Sequence, residues 1–210
     1  MRMLTVFIAI VLSLPVLAES LEDRLAHVQH RWAHIQYELP ENAREKAFED
    51  LVAEAERLVE AWPARAEPLI WQGIILSTYA GAKGGLGALG LVKDARSSLE
   101  AALDLDPRAL QGSAYTSLGS LYYQVPGWPL SFGDDRQARK YLQKALAINP
   151  DGIDPNYFFA DFLLKQGDNA RAEIYFNKAL EAPPRESRET ADSGRREEIL
   201  LRLGRLVPAR

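Results

Sequence analysis

ARSSLEAALDLDP at 95–107, ARKYLQKALAINP at 138–150 and AEIYFNKALEAPP at 172–184 share one spacing: Ala95, Leu99, Ala102, Pro107; Ala138, Leu142, Ala145, Pro150; Ala172, Phe176, Ala179, Pro184. Two alanines seven residues apart lie on the same side of a helix, where a neighbouring helix can approach closely, and proline ends the helix five residues later. Each stretch therefore reads as the second helix of a packed hairpin. The intervals between the leading alanines are 43 and then 34 residues, a period that signals a solenoid of stacked helix pairs. The predicted fold is all-α.

The first helix of each pair lies upstream. The last repeat offers Phe159, Ala160 and Leu163, with Gly167 and Asp168 at the turn; the middle repeat offers Leu118, Gly119 and Tyr122; the first offers Ile70, Gly73 and Leu76, with Gln72 at the large position. This order of a large residue, a small one and an aromatic or aliphatic one, closed by Pro184, resembles the tetratricopeptide repeat. An earlier, degenerate unit is read from Leu51, Ala55, Leu58 and Pro63. The resemblance covers about residues 42–184 and implies a right-handed α-solenoid of helix-turn-helix repeats. The units fall at 42–63, 64–107, 108–150 and 151–184. The family serves as a scaffold for unrelated tasks, so the resemblance bears on fold far more than on function.

The bounds agree. Of 210 residues, 26% are charged and 47% apolar, enough for a substantial core in one elongated domain. Residues 1–18 carry Arg2, an apolar run from Met3 to Leu12, then Pro15, Val16, Leu17 and Ala18, which reads as a secretory signal peptide cut after Ala18. The run is short for a bilayer span, so no stable membrane insertion is expected after cleavage, and the periplasm is the expected destination. The absence of cysteine excludes a disulfide framework and a lipid-bearing Cys in this sequence. Removing the leader takes away one of 25 basic residues and none of the 29 acidic ones. Lys and Arg alternate with Asp and Glu instead of forming a stripe, which argues against a nucleic-acid partner.

From 19 to 41, Leu21, Leu25, Val28, Trp32, Ile35 and Leu39 make one apolar stripe of an amphipathic helix. His27, His30 and His34 share a nearly opposite face. His30 and His34, with Glu38, have the spacing of a chelate, but no further ligand is nominated, so the face reads as exposed and no metal is expected. No nucleophile elbow, His-Glu-x-x-His pair or cysteine nucleophile occurs, and neither catalytic residues nor a cofactor are expected.

Two insertions break the 34-residue period, at 79–92 (YAGAKGGLGALGLV) and 125–135 (VPGWPLSFGDD). Both replace the turn inside their own repeat, which places them as neighbours on one edge, ~10 Å apart if helix packing distances hold. The first has Gly81, Gly84, Gly85, Gly87 and Gly90 but lacks the Lys-Ser/Thr of a nucleotide loop, since Lys83 precedes two glycines. It reads as a flexible apolar connection or a short extra helical turn near Leu86–Leu91, with a ligand lid as the alternative. In the second, Pro126 and Pro129 hold Trp128 in a defined place, and Trp128, Leu130 and Phe132 either pack on the body or face a ligand. Asp134 and Asp135 read as caps of the following helix.

The resemblance also implies which residues line the inner groove: Ile70, Ile74, Ser77 and Thr78; Thr116, Ser120, Tyr123 and Gln124; Tyr157, Asp161, Leu164 and Lys165. The carboxylate clamp of chaperone-binding members is missing, because Ile70 with Ile74, Thr116 with Ser120 and Tyr157 with Asp161 stand where Lys and Asn would be required. Such a groove suits an extended or helical peptide or a small apolar ligand. The candidate contacts are Trp128, Phe132, Ile74, Tyr123, Tyr157 and Asp161. After Pro184, at 185–210, the charged run RESRETADSGRREE reads as an exposed connection. A helix with Ile199, Leu200, Leu203 and Leu206 on one stripe follows and reads as a cap over the third repeat, with a docking tail for a partner as the alternative.

The expected function is a non-catalytic periplasmic scaffold for a protein or peptide. By location and architecture the chain also resembles the T-component partners of TRAP-type transporters, which implies, as the alternative, a small-ligand-binding accessory of a transport system. A further option is a homo-oligomer closed through the apolar loops.

Overall fold

A computed structural model describes residues 19–206; the signal-peptide reading of 1–18 lies outside them. Among the described residues the chain forms nine helices and no strand: α1 (Leu21–Tyr37), α2 (Glu41–Ala61), α3 (Ala66–Lys83), α4 (Ala88–Leu105), α5 (Ala109–Gln124), α6 (Asp135–Ile148), α7 (Ile153–Lys165), α8 (Asn169–Leu180) and α9 (Glu189–Leu206). None of them is long and apolar enough to cross a membrane.

The hairpins α3/α4, α5/α6 and α7/α8 are the three repeats, stacked side by side. Each of the six alanines that open and close the repeated spacing is at most 1% exposed, as are Leu99, Leu142 and Phe176 between them. The facing helix supplies the space. A Cβ on Gly73 would stand 2.5 Å from Leu99 Cγ, and one on Gly119 2.6 Å from Leu142 Cγ, so only glycine lets these helices come together. Helix ends follow local chemistry. Ser20 caps α1 by accepting from the Asp23 N–H, and Asp134 caps α6 by accepting from the N–H groups of Arg136 and Gln137. Asp135 stands in the first turn of α6, where its charge complements the helix dipole. Pro63, Pro107, Pro150 and Pro184 follow the ends of α2, α4, α6 and α8.

The first insertion is not a loop. Its residues lengthen α3 to Lys83 and start α4 at Ala88, leaving 84–87 as the turn, with Tyr79, Ala80 and Val92 buried. Gly84 and Gly85 have φ of 64° and 61°, the left-handed backbone that ends α3, and the Gly84 N–H donates to Ala80 O. The glycines thus punctuate two long helices instead of dissolving them. The second insertion does leave the helices, between Gln124 and Asp135, and it is tied down: Gly133 N–H donates to Pro126 O and Asp134 N–H to Tyr122 O. Gly133 lies so close to the Val125 carbonyl that no Cβ fits there.

The C-terminal segment departs most from the sequence reading. Its charged run is an exposed connection only in part: 185–188 joins α8 to α9 and Glu186, Glu189 and Glu197 are exposed, but α9 begins at Glu189, and Ala191, Asp192, Gly194 and Arg195 are buried. The reason is mutual neutralisation, since Arg185 and Arg195 both bind Asp154 of α7, and Arg185 also binds Asp192. α9 does cap the third repeat, with Ile199 fully buried and Leu203 and Leu206 packed against the α7/α8 cluster, while Leu200 faces solvent. It also reaches α1, at the opposite end of the chain, where Gly194 lies against the Tyr37 ring too closely for any Cβ. The histidine face of α1 is exposed, as expected, with surface contacts only: His30 Nε2 lies 2.7 Å from Ser187 O, His27 Nε2 3.5 Å from Glu54 Oε2, and His34 Nδ1 2.5 Å from Glu38 Oε2.

Candidate functional site

The odd-numbered helices α1, α3, α5 and α7 turn their inner faces toward one cavity of about 330 Å³, and the residues from Arg185 into α9 form its remaining wall. The concave side of the solenoid is thus not an open trough along which an extended peptide could lie, because α9 already spans it between α7/α8 and α1. Of the groove residues expected from the family register, Ile74, Ser77, Thr78, Thr116, Ser120, Gln124 and Tyr157 line this cavity. Ile70 is fully buried in the core instead.

Aromatic rings build one side. Trp32 meets Tyr37 edge-on with centroids 5.8 Å apart and Trp71 at 5.9 Å, and Trp32 Nε1–H donates to Thr78 Oγ1 at 3.0 Å. Across the cavity the Arg195 guanidinium lies 4.3 Å from the Tyr157 ring centroid and 4.8 Å from that of Phe158. Burial pushes the phenols of Tyr37 and Tyr157 upward, although Arg195 opposes this at both, so at neutral pH each remains a protonated donor.

The polar centre is a carboxylate held between two guanidinium groups. Arg185 Nη1 is 2.7 Å from Asp154 Oδ2, and Arg195 Nε is 3.0 Å from Asp154 Oδ1. Burial alone would raise the Asp154 pKa, but Arg185 and Arg195 outweigh it and hold the carboxyl at about 2. Arg185 Nη2 is 2.6 Å from Asp192 Oδ1, and Arg195 Nη1 is 2.5 Å from Glu198 Oε2. The network fastens the C-terminal segment to α7. Arg188 stands beside it, its guanidinium 5.1 Å from the Trp71 ring centroid.

The remaining candidates fall elsewhere. Tyr123 is 2% exposed and its hydroxyl donates to Asp161 Oδ2 at 2.7 Å, while Arg202 of α9 lies 3.3 Å from Asp161 Oδ1. These two form a second tie between the repeats and α9 and do not line the cavity. Phe132 is folded in against Tyr122, with centroids 5.2 Å apart, and lies under the Arg96 guanidinium at 4.5 Å. Trp128, on the same loop, is 90% exposed, and Leu130 is 61% exposed. The expectation that this loop's apolar residues pack on the body therefore holds for Phe132 and fails for Trp128 and Leu130. The structure thus gathers Ile74 and Tyr157 at the cavity, pairs Tyr123 with Asp161, and sets Trp128 apart.

Sequence reading missed Trp71, Arg185, Arg188 and Arg195. Trp71 carries a faint signal, since a tryptophan one residue after Ile70 breaks the apolar face it adjoins. The arginines carried none, being part of a charged run.

No curated protein matches the chain. Solved structures that are partly similar to the chain include the following two. One is TTC0263, a thermophilic tetratricopeptide protein of Thermus thermophilus, at 18% identity over 87% of this chain and 100% of that one, with a TM-score of 0.43. The other is PilF of Pseudomonas aeruginosa, at 16% identity over 90% and 94%, with a TM-score of 0.36. The family model described as "Tetratricopeptide repeat" matches residues 130–189. That match runs from the end of the 125–135 loop through α6, α7 and α8, so the tetratricopeptide repeat is matched over 130–189, and the hairpins before it pack through small-residue seams of the same kind.

Proposed function

We infer that the protein is a non-catalytic interaction scaffold of the periplasm that takes a protein segment on the solenoid edge carrying the 125–135 loop. A tetratricopeptide fold suggests protein–protein interaction in general, and such repeats are generally non-catalytic. The observation that carries the edge assignment is Trp128, which holds 90% of its surface in water on a loop whose backbone is pinned at both ends. A large aromatic side chain kept out of the core on a fixed loop is what a binding hot spot looks like before its partner arrives. The concave face is the weaker candidate for a long peptide, since α9 already occupies it. The periplasmic assignment rests on the leader-like sequence of residues 1–18.

Affinity capture with the chain from Glu19 onward, beside a Trp128→Ala variant of equal thermal stability, tests the edge. A polypeptide retained by the first and lost from the second supports the assignment. The same partner retained by both moves the binding surface elsewhere. Fractionation of cells expressing the full chain tests location, and recovery of an unprocessed chain in the cytoplasm rejects it.

A further inference from the structure

Two donors at the cavity have no acceptor. Trp71 Nε1 and Arg188 Nε are both shut off from solvent and make no hydrogen bond, and Arg188 forms no ion pair among the described residues. The nearby carboxylates are already taken: Asp154 by Arg185 and Arg195, Asp192 by Arg185, and Glu198 by Arg195. Arg188 is therefore the guanidinium left over in the group. Burial and the neighbouring Arg185 cation push its pKa down, against the pull of Asp154 and Asp192. Stacked on Trp71, it lines this cavity and also a second, of about 570 Å³, which shares Trp71, Ser113, Thr116, Asp154 and Arg185 with the first. A buried donor without an acceptor is a standing cost, and a ligand oxygen at that point removes it.

We propose that the cavity between α9 and the inner face of the repeats binds a small organic monocarboxylate, its carboxylate on Arg188 and Trp71 and its apolar body against the aromatic wall. Guanidinium is the side chain suited to a carboxylate, and the buried indole N–H adds a second donor. Arg188 makes no ion pair among the described residues while the carboxylates around it are engaged by Arg185 and Arg195, so it offers one guanidinium to one carboxylate. A volume of about 330 Å³ falls at the small end of ligand sites, and the rings of Trp32, Tyr157 and Phe158 offer it apolar surface. This site is independent of the edge carrying Trp128, so either assignment can fail alone.

Benzoate is the probe, with benzyl alcohol as its neutral analogue of nearly equal shape, titrated calorimetrically into the chain from Glu19 onward. Benzoate binds saturably and at least about tenfold tighter than benzyl alcohol. Arg188→Gln abolishes that preference, Arg188→Lys restores a large part of it, and Trp71→Phe weakens benzoate about fivefold, for loss of one donor to a charged acceptor. Arg136→Gln, which removes the same charge from a side chain 95% exposed on α6, leaves binding unchanged. Equal affinity for the acid and the alcohol overturns the proposal, as does full benzoate binding by Arg188→Gln, or no saturable binding up to about 10 mM.

Discussion

Two seams in this molecule use one device for different ends. Within the repeats, Gly73 opposes Leu99 and Gly119 opposes Leu142; where the ends of the chain meet, Gly194 opposes Tyr37. In each case a missing Cβ admits a bulky side chain and two helices close. The surroundings differ. The repeat seams are flanked by alanine and leucine and are dry, whereas the α9 seam is flanked by Arg185, Arg195, Asp154 and Asp192. Apolar packing holds the hairpins whatever the charge state of the surface. An ion-pair network holds α9, and it can be unfastened by changing one charge.

The largest expected effect lies in the repeats. Gly119→Ala drives a methyl into Leu142 and lowers the stability of the whole chain by about 2–3 kcal/mol, read as one shifted denaturation midpoint. Asp154→Asn leaves the buried Arg195 and the half-buried Arg185 without their shared carboxylate. Its cost, on the order of 2–3 kcal/mol, falls on the C-terminal segment, seen as faster amide exchange across 185–206 while α3–α8 stay protected. Gly194→Ala gives the same local pattern at about 2 kcal/mol, because α9 can lift from Tyr37 without unstacking a repeat. If Gly194→Ala instead shifts the midpoint of the whole chain as Gly119→Ala does, the two seams are one cooperative unit.

Acidity separates the seams further. The Asp154 carboxyl is held at about 2, below its ordinary 3.8, so its contribution is complete above about pH 4 and is lost as pH falls toward 2. The size is about 2 kcal/mol. Amide exchange in α9 should accelerate over that window ahead of exchange in α5 and α6, whose seam is built of Gly119, Leu142 and stacked tyrosines that do not titrate in acid. The smallest effect is at the edge: Trp128→Ala stays within about 0.5 kcal/mol of the parent in denaturant, since its ring is in water.

The seams also differ in how far they could be read. Ala95, Ala102 and their counterparts sit seven residues apart because one helix face repeats with that spacing, and a local period is visible in any single sequence. Gly73 and Gly119 stood at the small position for the same reason. The run from 185 to 198 was misread in part because a charged residue is classed by its own solvation, and its burial here depends on Asp154, which lies more than thirty residues upstream of Arg185 and on another helix. The 79–92 segment was legible in part: of an apolar connection or an extra helical turn near Leu86–Leu91, the helical reading is nearer, since Gly84 and Gly85 take the left-handed backbone and the other glycines sit within helices α3 and α4 or at their junction.

At the candidate site the division is similar. Ile74, Thr116, Ser120 and Tyr157 were placed on the inner face by repeat register, and they line the cavity. Arg188 and Trp71 belong to it only because α9 returns to α1 and carries the preceding turn onto α3. The sequence by itself determined the helix pairs, their small-residue seams, their caps and their proline stops, since each depends on residues within one or two turns of each other. The tertiary structure alone decided that the groove is closed, that part of the C-terminal charge is buried, and which cation is left without a partner. Those outcomes rest on contacts between residues on different helices and far apart along the chain, from Asp154 with Arg185 to Tyr37 with Gly194, and no local pattern encodes them.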